Sequence, residues 1–545
     1  MTASIDLLRG RPLALGTVLV VWLALAAACG DDDGTGPGPR ADSGPPPAED
    51  MGTPPREDAA PPDAGRPDAG PPPTDAGPAA EADIREALAC GTPMGVHGMG
   101  RPGELQLQEM DNTRFPDAVC NDGTPAVMRF RPYRGEENRT RWVISLRGGG
   151  YCGGAGACAA RWCSCRTMAE CPFAQQTTNF TLENMSGGGR RSEATGGVLR
   201  REGQPNPLAD YNHVELVYCS SDSWGGVSRG VTYTTTHPRT GEEVSYTLHF
   251  LGARIFEAGI AALRQDGGGP LMYTLDGGAV PLPDLDEATQ VLFEGDSAGG
   301  AGVIRHLDHL GEILRAHHVG GGDGPEIVGL IDAVVGPDWS QLDWSMSVGA
   351  SAGVDTYPEV LEYISGNEVL ANGYNEDSCV RWHMENEPDS VNECLDETHL
   401  IRHHITTPFF VRMALLDGLI ASSYEQSGAR DPELGPFVLT ELPSGARLPL
   451  TFARVLQREL AAFSMLPMTA EEGAAMTRAP GVFGPACTKH DTIHDDSEVY
   501  GVTITPPGTT TPLALFDVLG NWTRELEPSV VLTMDPMRAD TVCPP

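Results

Sequence analysis

From about residue 84 onwards, apolar runs alternate with segments whose apolar residues recur at helical spacing. The near-continuous apolar runs typical of strands covered on both faces are residues 140–146, 214–218, 291–293, 327–335 and 408–416. Residues 250–263 have a helical pattern, and a second helix is predicted after residue 297 from Val303, Ile304, Leu307, Leu310 and Leu314. This alternation predicts an α/β fold with a mostly parallel sheet flanked by helices.

The first 83 residues do not follow this pattern. Arg9 and Arg11 precede an apolar run over residues 12–28 that is too short and too rich in small side chains for a membrane span, so residues 1–28 are predicted to be an export signal. Residues 29–83 are Pro, Gly, Ala and Asp with hardly an apolar side chain, and such a segment cannot offset the entropy of ordering. We therefore expect a disordered, extended tether there and one domain over residues 84–545.

The signal ends in Leu-Ala-Ala-Ala-Cys at residues 25–29, which resembles the bacterial lipobox. In that motif the cysteine is diacylated and becomes the mature N-terminus. Cys29 is therefore the expected lipidation site, and it would anchor the protein to the bacterial cell envelope, at the outer membrane or cell surface. An ordinary cleaved signal is the alternative, but it would leave an unpaired thiol in a secreted product.

The amino-acid composition limits the classes of binding partner and the cellular compartment that we expect for this protein. Of the 545 residues, 75 are acidic and 37 basic, so the formal charge of −38 would repel a phosphate backbone and argues against nucleic acid. Thirteen cysteines indicate an oxidising compartment. Without Cys29, twelve remain, which allows six disulfides whose pairing the sequence does not give. We expect a disulfide-stabilised domain.

A candidate nucleophile lies between the strand at 291–293 and the helix that follows it. Residues 295–299 read Gly-Asp-Ser-Ala-Gly, a GxSxG sequence, and Gly300 follows. In an α/β-hydrolase-like fold this strand–turn–helix order lifts the serine clear of the sheet, with glycines where larger side chains would collide. Ser297 is therefore the predicted nucleophile. The alternative is a glycine-rich turn with a serine cap.

A serine hydroxyl needs a base, itself oriented by a carboxylate, and in this fold the chain order is serine, acid, histidine. Two apolar runs follow Ser297. The first contains Asp332 and leads to Asp338, and the second ends at Asp417. The usual place for the acid is the end of the second such strand, so Asp417 is predicted, and Asp332 is interpreted as a structural carboxylate.

Two histidines lie downstream of Asp417, at His490 and His494, and one of them should be the base. Cys487 could fix their loop through a disulfide. A second interpretation is a metal-dependent hydrolase, because the two histidines are four residues apart and Asp495 and Asp496 follow them. The third is a pair of solvated histidines.

The oxyanion of an acyl-transfer intermediate needs backbone N–H groups aimed at it in advance. The glycine run at residues 148–150 follows the strand at 140–146, where an esterase of this fold places half of its oxyanion hole. Gly149 and Gly150 are the candidates. The other half is the N–H of the residue after the nucleophile, which is Ala298.

Four segments together resemble the pectin acetylesterase and Notum family of serine carboxylesterases, over most of residues 90–525. They are Leu-Arg-Gly-Gly-Gly-Tyr-Cys at 146–152, Tyr-Cys-Ser-Ser-Asp-Ser-Trp at 218–224, the turn at 295–300, and the run from Thr-Pro-Phe-Phe at 407–410 to Asp417. The resemblance implies Ser297, Asp417 and His490 as the triad, and Cys152 with Cys158 as a local disulfide. The match is loosest near His490, which leaves His494 as an alternative base.

The resemblance implies a serine esterase that hydrolyses O-acyl, most simply O-acetyl, esters without a cofactor or metal. Family members remove acetyl groups from pectin or a fatty acyl group from a secreted protein. A domain this acidic should disfavour de-esterified pectin, so an acylated carbohydrate of low charge or a small acyl ester is the expected substrate. The alternatives are a catalytically silent binding lipoprotein that keeps the fold and a metal-dependent hydrolase using His490 and His494.

Overall fold

The structure is a computed structural model of the 545-residue chain. It describes residues 83–90, 104–164, 182–188, 196–266, 268–275, 278–346, 356–365, 373, 375–442, 447–466, 476–490, 492–535 and 541–543. The predicted signal peptide, Cys29 and the predicted tether up to residue 82 lie outside these residues, as do Cys165 and Cys171.

A nine-stranded sheet forms the centre of the described part of the chain. Its strands are β1 (Gln106–Glu109), β2 (Val127–Arg131), β3 (Arg141–Leu146), β4 (Asn212–Leu216), β5 (Gln290–Asp296), β6 (Glu326–Asp332), β7 (Phe409–Arg412), β8 (Gly481–Gly484) and β9 (Val530–Leu532). Their order across the sheet is β1-β2-β4-β3-β5-β6-β7-β8-β9. From β4 to β9 every neighbouring pair is parallel, whereas β2 is antiparallel to both β1 and β4. The α/β-hydrolase-like fold expected from the sequence is therefore confirmed.

Helices cover both faces of this sheet. The α-helices are α1 (Ile84–Leu88), α2 (Ala155–Trp162), α3 (Gly252–Leu263), α4 (Ala298–His317), α5 (Tyr357–Ser365), α6 (Asp377–Asn386), α7 (Glu397–His403), α8 (Gly418–Ser427), α9 (Leu450–Phe463), α10 (Asp496–Gly501) and α11 (Leu515–Thr523). Alternate strand residues point to opposite faces. Ile144 packs in a cluster with α3, α4 and α9, and Val143 packs in another with α10 and α11.

Shorter elements connect these layers. The 3₁₀ helices are Glu136–Asn138, Leu182–Met185, Gly197–Leu199, Leu285–Glu287, Trp339–Gln341 and Pro388–Leu395. Two-stranded antiparallel pairs join Ser228–Thr236 with Glu243–Phe250, Met272–Leu275 with Gly278–Pro281, Arg430–Asp431 with Gly435–Pro436, Thr440–Glu441 with Arg447–Leu448, and Thr503–Ile504 with Thr541–Val542. No α-helix in the described ranges is long and apolar enough to cross a bilayer.

Two of the predicted strands end earlier than their apolar runs. β6 stops at Asp332 because Ala333 has φ 55°, which breaks the extended backbone. β7 stops at Arg412, but Leu415 and Leu416 still donate backbone hydrogen bonds to Pro485 and Cys487 after β8. The apolar run thus continues as a buried, irregular segment that leads to residue 417.

Five disulfides join described cysteines: Cys90–Cys163, Cys120–Cys219, Cys152–Cys158, Cys379–Cys394 and Cys487–Cys543. The Cys152–Cys158 pair is the one that the family resemblance implied. Cys487 lies in the segment that follows β8, so its disulfide holds that segment to residues 541–543. Cross-links of this kind limit the conformations of the unfolded chain and thereby stabilise the folded one.

Candidate active site

Ser297 occupies a sharp turn between β5 and α4. Its φ is 54°, which a non-glycine residue rarely adopts and which the surrounding contacts must enforce. Its N–H donates to the carbonyl of Asp332, at 2.9 Å, and this bond ties the turn to the neighbouring strand β6. A Cβ at Gly299 would lie only 1.9 Å from the carbonyl oxygen of Leu146, so only glycine fits there. The turn therefore presents the serine side chain above the sheet, as a nucleophile requires.

The glycine run after β3 lies directly against this turn. The N–H of Gly148 donates to Oδ1 of Asp296, at 3.0 Å, and a Cβ on Gly148 would lie 3.0 Å from the Cβ of Ser297. Gly149 and Gly150 have φ of 146° and 61°, in the region that favours glycine. Because the Gly148 N–H is already used, the N–H groups available for an oxyanion in this loop are those that follow it.

Two buried side chains hold the carbonyl groups of this loop. Arg161, on α2, donates from Nη2 to the carbonyl of Gly149, at 2.6 Å, and the hydroxyl of Tyr218 donates to the carbonyl of Gly150, at 2.7 Å. In a trans peptide the C=O and the following N–H point in opposite directions. Drawing the Gly149 carbonyl towards Arg161 therefore turns the Gly150 N–H away from that side chain. Arg161 and Tyr218 were not predicted as site residues.

The segment at 218–224, recognised in the sequence only by its resemblance, is what braces the glycine loop. The Tyr218 hydroxyl that donates to Gly150 also accepts the N–H of Ser223, at 2.7 Å, and the carbonyl of Ser221 accepts the N–H of Cys152. Within the segment, Asp222 accepts hydrogen bonds from Ser220, from the N–H of Trp224 and from the N–H of Gly252. This segment thus positions the glycine loop.

Asp417 and His490 form a hydrogen-bonded pair. The distance from Nδ1 of His490 to Oδ2 of Asp417 is 2.7 Å. Asp417 is fully buried, and its other oxygen accepts the N–H groups of Leu419 and Ile420 at the start of α8. A carboxylate fixed in this way holds the imidazole in one orientation and leaves Nε2 as the nitrogen that can exchange a proton.

Asp332 has a different set of partners. Its Oδ2 accepts the N–H groups of Thr492 and Ile493, at 2.8 and 3.0 Å, and Oδ1 lies 3.2 Å from Nη1 of Arg412. Its carbonyl is the one that accepts the N–H of Ser297. One residue at the end of β6 therefore holds both the serine turn and the loop that carries the histidines.

His494 is buried beneath the serine turn, in a cluster of charged groups. Its Nε2 lies 3.0 Å from Oε1 of Glu294 and 3.1 Å from Oγ of Ser145, and its Nδ1 lies 3.3 Å from Oδ1 of Asp296. Burial and the charge of Arg147 lower the pKa of His494, but Glu294 and Asp296 outweigh them and raise it to about 10. Burial raises the pKa of Asp296, and His494 and Arg147 outweigh it, so that carboxyl stays ionised. His494 is thus held as a cation.

The structure brings several of the predicted site residues into contact. Asp417 and His490 are in contact, and the glycine loop lies against the serine turn. Ala298 is the first residue of the 20-residue helix α4, whose leading N–H groups have no partner within the helix and point with its positive end towards the turn. The sequence did not identify Arg161, Tyr218 or the charged partners of His494, because each acts through a contact between distant parts of the chain.

The chain was compared with known proteins. The model of the family described as Pectinacetylesterase matches residues 102–525. Palmitoleoyl-protein carboxylesterase notum1a of Danio rerio is 29% identical over 213 residues, which are 39% of this chain and 33% of that protein. Palmitoleoyl-protein carboxylesterase NOTUM of Drosophila melanogaster is 29% identical over 211 residues, 38% of this chain and 25% of that protein. The matched segments thus span only about a quarter to a third of these relatives.

Among solved structures, the 1.9 Å crystal structure of the Wnt deacylase Notum from Drosophila has a TM-score of 0.50. It is 20% identical and the match covers 81% of this chain and 100% of that one. At this identity the likeness concerns the fold alone. The family match, in contrast, covers well over half of the sequence and includes every residue of the serine turn, the glycine loop and the Asp417–His490 pair. The chain therefore belongs to the pectinacetylesterase family.

Proposed function

We propose that the protein is a serine carboxylesterase in which Ser297 is the nucleophile, His490 the general base and Asp417 the residue that orients the base. The observation that carries this proposal is the 2.7 Å contact between His490 Nδ1 and the buried Asp417, which follows β7, while Ser297 stands in a strained turn after β5. The named relatives are carboxylesterases, which supports the same class of reaction.

In this mechanism Nε2 of His490 takes the proton from Ser297 as its Oγ attacks the ester carbonyl. The carbonyl oxygen becomes an oxyanion, which the N–H groups of Gly149, Gly150 and Ala298 stabilise. His490 then gives the proton to the leaving alcohol, and an acyl-enzyme remains. Water, activated by the same histidine, attacks the acyl-enzyme and releases the acid and free Ser297.

The contacts of His494 weigh against the metal-dependent alternative. Both of its ring nitrogens lie within 3.3 Å of carboxylate oxygens, and its raised pKa means that it carries protons where a metal ligand needs a lone pair. His490 has its own carboxylate partner in Asp417. The two histidines therefore have separate charged surroundings, and that supports His490 as the base of a serine esterase.

For the substrate we propose a short O-acyl ester, most simply O-acetyl, on a carbohydrate of low charge or on a small alcohol. The net charge of −38 supports this choice, because a strongly acidic protein repels a polyanionic glycan. We further propose that the protein acts at the bacterial cell envelope, held to the membrane by acylated Cys29 with residues 29–83 as a tether.

The direct test is labelling with a fluorophosphonate, which reacts at a useful rate only with an activated serine. One equivalent should be incorporated, and Ser297→Ala should abolish labelling. Ser340→Ala, which changes an exposed serine in a 3₁₀ turn, is the matched control and should label fully. Labelling that persists in Ser297→Ala would refute the assignment, and no labelling of the native protein would favour the non-catalytic lipoprotein.

Substrate class is tested with aryl esters of graded acyl length and with acetylated glycans of different charge. We expect turnover to be highest for acetyl and to fall with acyl length, and to be unchanged by a chelator. A preference for long acyl chains would refute the acetyl proposal while leaving the triad intact. Loss of turnover with a chelator, restored by added metal, would overturn the serine mechanism itself.

A further inference from the structure

A second cluster of chemistry-bearing residues lies in the long connection between β6 and β7, away from the serine turn in sequence. Helix α6, the 3₁₀ helix Pro388–Leu395 and helix α7 form this part, and the Cys379–Cys394 disulfide links the first two. It brings together His383, His399 and His404, all of which are buried. Nothing in the proposed esterase mechanism uses them.

The three imidazoles are arranged around a common point. Nε2 of His383 and Nε2 of His399 are 3.2 Å apart, and one possible ligand atom from each of His383, His399, His404 and Cys379 lies within 4.8 Å of the others. The ring centroids form a triangle with sides of 5.3, 5.8 and 5.2 Å. A tetrahedral zinc ion with Zn–N bonds of about 2.0–2.1 Å places its ligand nitrogens about 3.3 Å apart, which is close to the separation found here.

The contacts of Nδ1 in His383 and His399 affect whether Nε2 of each ring carries a proton. The hydroxyl of Ser390 donates to the carbonyl of Glu387, at 2.9 Å, and therefore accepts from Nδ1–H of His383, at 2.7 Å. Nδ1 of His399 faces Oε2 of Glu393, at 3.5 Å. A proton on Nδ1 of His383 leaves a lone pair on its Nε2, and oxygens behind the ring commonly orient metal-bound histidines in this way.

The Nε2 lone pair of His383 faces Nε2 of His399 at 3.2 Å, and either a proton on His399 or a cation between the rings would satisfy it. A proton would serve only these two rings, whereas a cation would also bind the imidazole of His404, the third histidine of the cluster. Neutral imidazole is the form that binds metal.

We propose that His383, His399 and His404 bind one divalent zinc-type ion, with Nε2 of His383 and of His399 as two of the ligands. The sulfur of Cys379 is in a disulfide and is not a thiolate, so the fourth position is left to water or another small ligand. The ion would join α6 to α7 and stabilise the connection between β6 and β7. It is independent of the proposed esterase, because no member of the site belongs to the triad or the oxyanion hole.

The test uses the full chain, purified without a polyhistidine tag, with its disulfides intact and dialysed against a chelator. Zn²⁺ is titrated in by calorimetry, and Co²⁺ is used as a spectroscopic probe. We expect one Zn²⁺ per chain, an absorption spectrum typical of tetrahedral Co²⁺ with nitrogen ligands, and a Tm that rises with Zn²⁺ concentration. Absence of stoichiometric binding would overturn the proposal.

Variants then locate the site. His399→Gln and His383→Gln should each weaken Zn²⁺ binding at least tenfold. His317→Gln, which changes an exposed histidine at the end of α4, is the control and should leave binding unchanged. If the histidine variants fail to fold, Ser390→Ala keeps all three rings and should weaken binding by roughly 10–100-fold by releasing the orientation of His383. Unchanged binding in the folded histidine variants, or in Ser390→Ala, would overturn the assignment. Equal loss in His317→Gln would also do so.

Discussion

Nη2 of Arg161 lies 2.6 Å from the carbonyl oxygen of Gly149, inside the protein and in the same peptide group as the Gly150 N–H that we assign to the oxyanion hole. We therefore expect Arg161 to affect the proposed reaction through the orientation of this peptide group. Burial lowers its pKa only to about 10, so the guanidinium remains charged at neutral pH and keeps its donor strength.

Replacing Arg161 should impair turnover more than binding. In Arg161→Met the Gly149 carbonyl loses its charged donor, the loop can rotate, and an oxyanion donor is lost from the transition state. We expect kcat to fall roughly 10–100-fold while KM changes little, as measured by steady-state kinetics on an aryl acetate. Arg161→Lys should recover part of kcat. A change confined to KM, or to thermal stability alone, would contradict this role.

Substitution of the two candidate carboxylates, Asp417 and Asp332, should affect turnover and stability differently. Asp417→Asn removes the charge that orients and stabilises protonated His490, so kcat should fall on the order of 10³-fold or more with a nearly normal Tm. Asp332→Asn weakens the hydrogen bonds to Thr492 and Ile493 and the ion pair with Arg412, so it should mainly lower the Tm. Parallel kinetics and melting curves decide between these outcomes, and the reverse pattern would reassign the acid.

Removing Ser297, removing His490 and removing both should lower turnover to a similar extent. Ser297→Ala and His490→Ala should each reduce kcat by about 10³-fold or more, and the double variant should be hardly worse than either, because the base has no role without the nucleophile. Variants that lack the nucleophile or the base cannot be quantified by active-site titration. The concentration of folded protein is therefore measured in each sample, and activities are compared per folded protein. Independent effects that multiply would argue against a shared proton-transfer step.

The charged cluster around His494 predicts a pH dependence of stability. The pKa of His494 is about 10 in the folded chain, above its ordinary value near 6.5, so its contribution is fully present below about pH 6.5 and is lost as the pH rises towards 10. The free energy of unfolding, from urea titrations, should therefore fall between pH 7 and pH 10 by an amount on the order of a few kcal/mol. His494→Gln should be less stable at pH 7 and should lose this slope.

If His494 were the catalytic base, a different result would follow. His494→Gln would then abolish turnover at every pH while leaving the slope of stability unchanged. Retention of substantial activity in a folded His494→Gln protein, together with loss of the slope, is the outcome that agrees with a structural cation.

Membrane attachment should depend on a single sulfur. Cys29→Ser removes the proposed acylation site, so the protein should move from the membrane fraction to the soluble fraction of the envelope. Fractionation followed by immunoblotting measures this, with esterase activity as the readout of a folded domain. Continued association with the membrane would contradict the lipobox interpretation.

Much of the sheet could be predicted because its strands are short runs covered on both faces, such as the one before Ser297. The GxSxG turn was equally visible, since its glycines are required by local close approach. The end of β7 was not, because residues 413–416 remain apolar after the ladder stops. They are buried beside the segment after β8, and only the backbone contacts of Leu415 and Leu416 with that segment distinguish them from a strand.

The roles of His490 and His494 could not be separated by sequence, because their difference lies entirely in distant contacts. His494 meets Glu294, 200 residues earlier, and His490 meets Asp417, 73 residues earlier. Nothing in the spacing of two histidines reveals that one is enclosed by two carboxylates and the other by one. Arg161 was not predicted for the same reason, because its proposed role depends on a hydrogen bond to the backbone carbonyl of Gly149.

The disulfide between Cys487 and Cys543 determines the order in which the parts of this site can form. The segment that carries His490 is covalently fixed only when a cysteine 56 residues further along the chain has been synthesised and oxidised. In the export that we propose, the serine turn and the glycine loop would emerge first, and the segment with the proposed base would be fixed last. A chain held in a reducing compartment would keep this segment unlinked, so the bond that stiffens the folded protein would also delay its activity until the chain reaches an oxidising compartment.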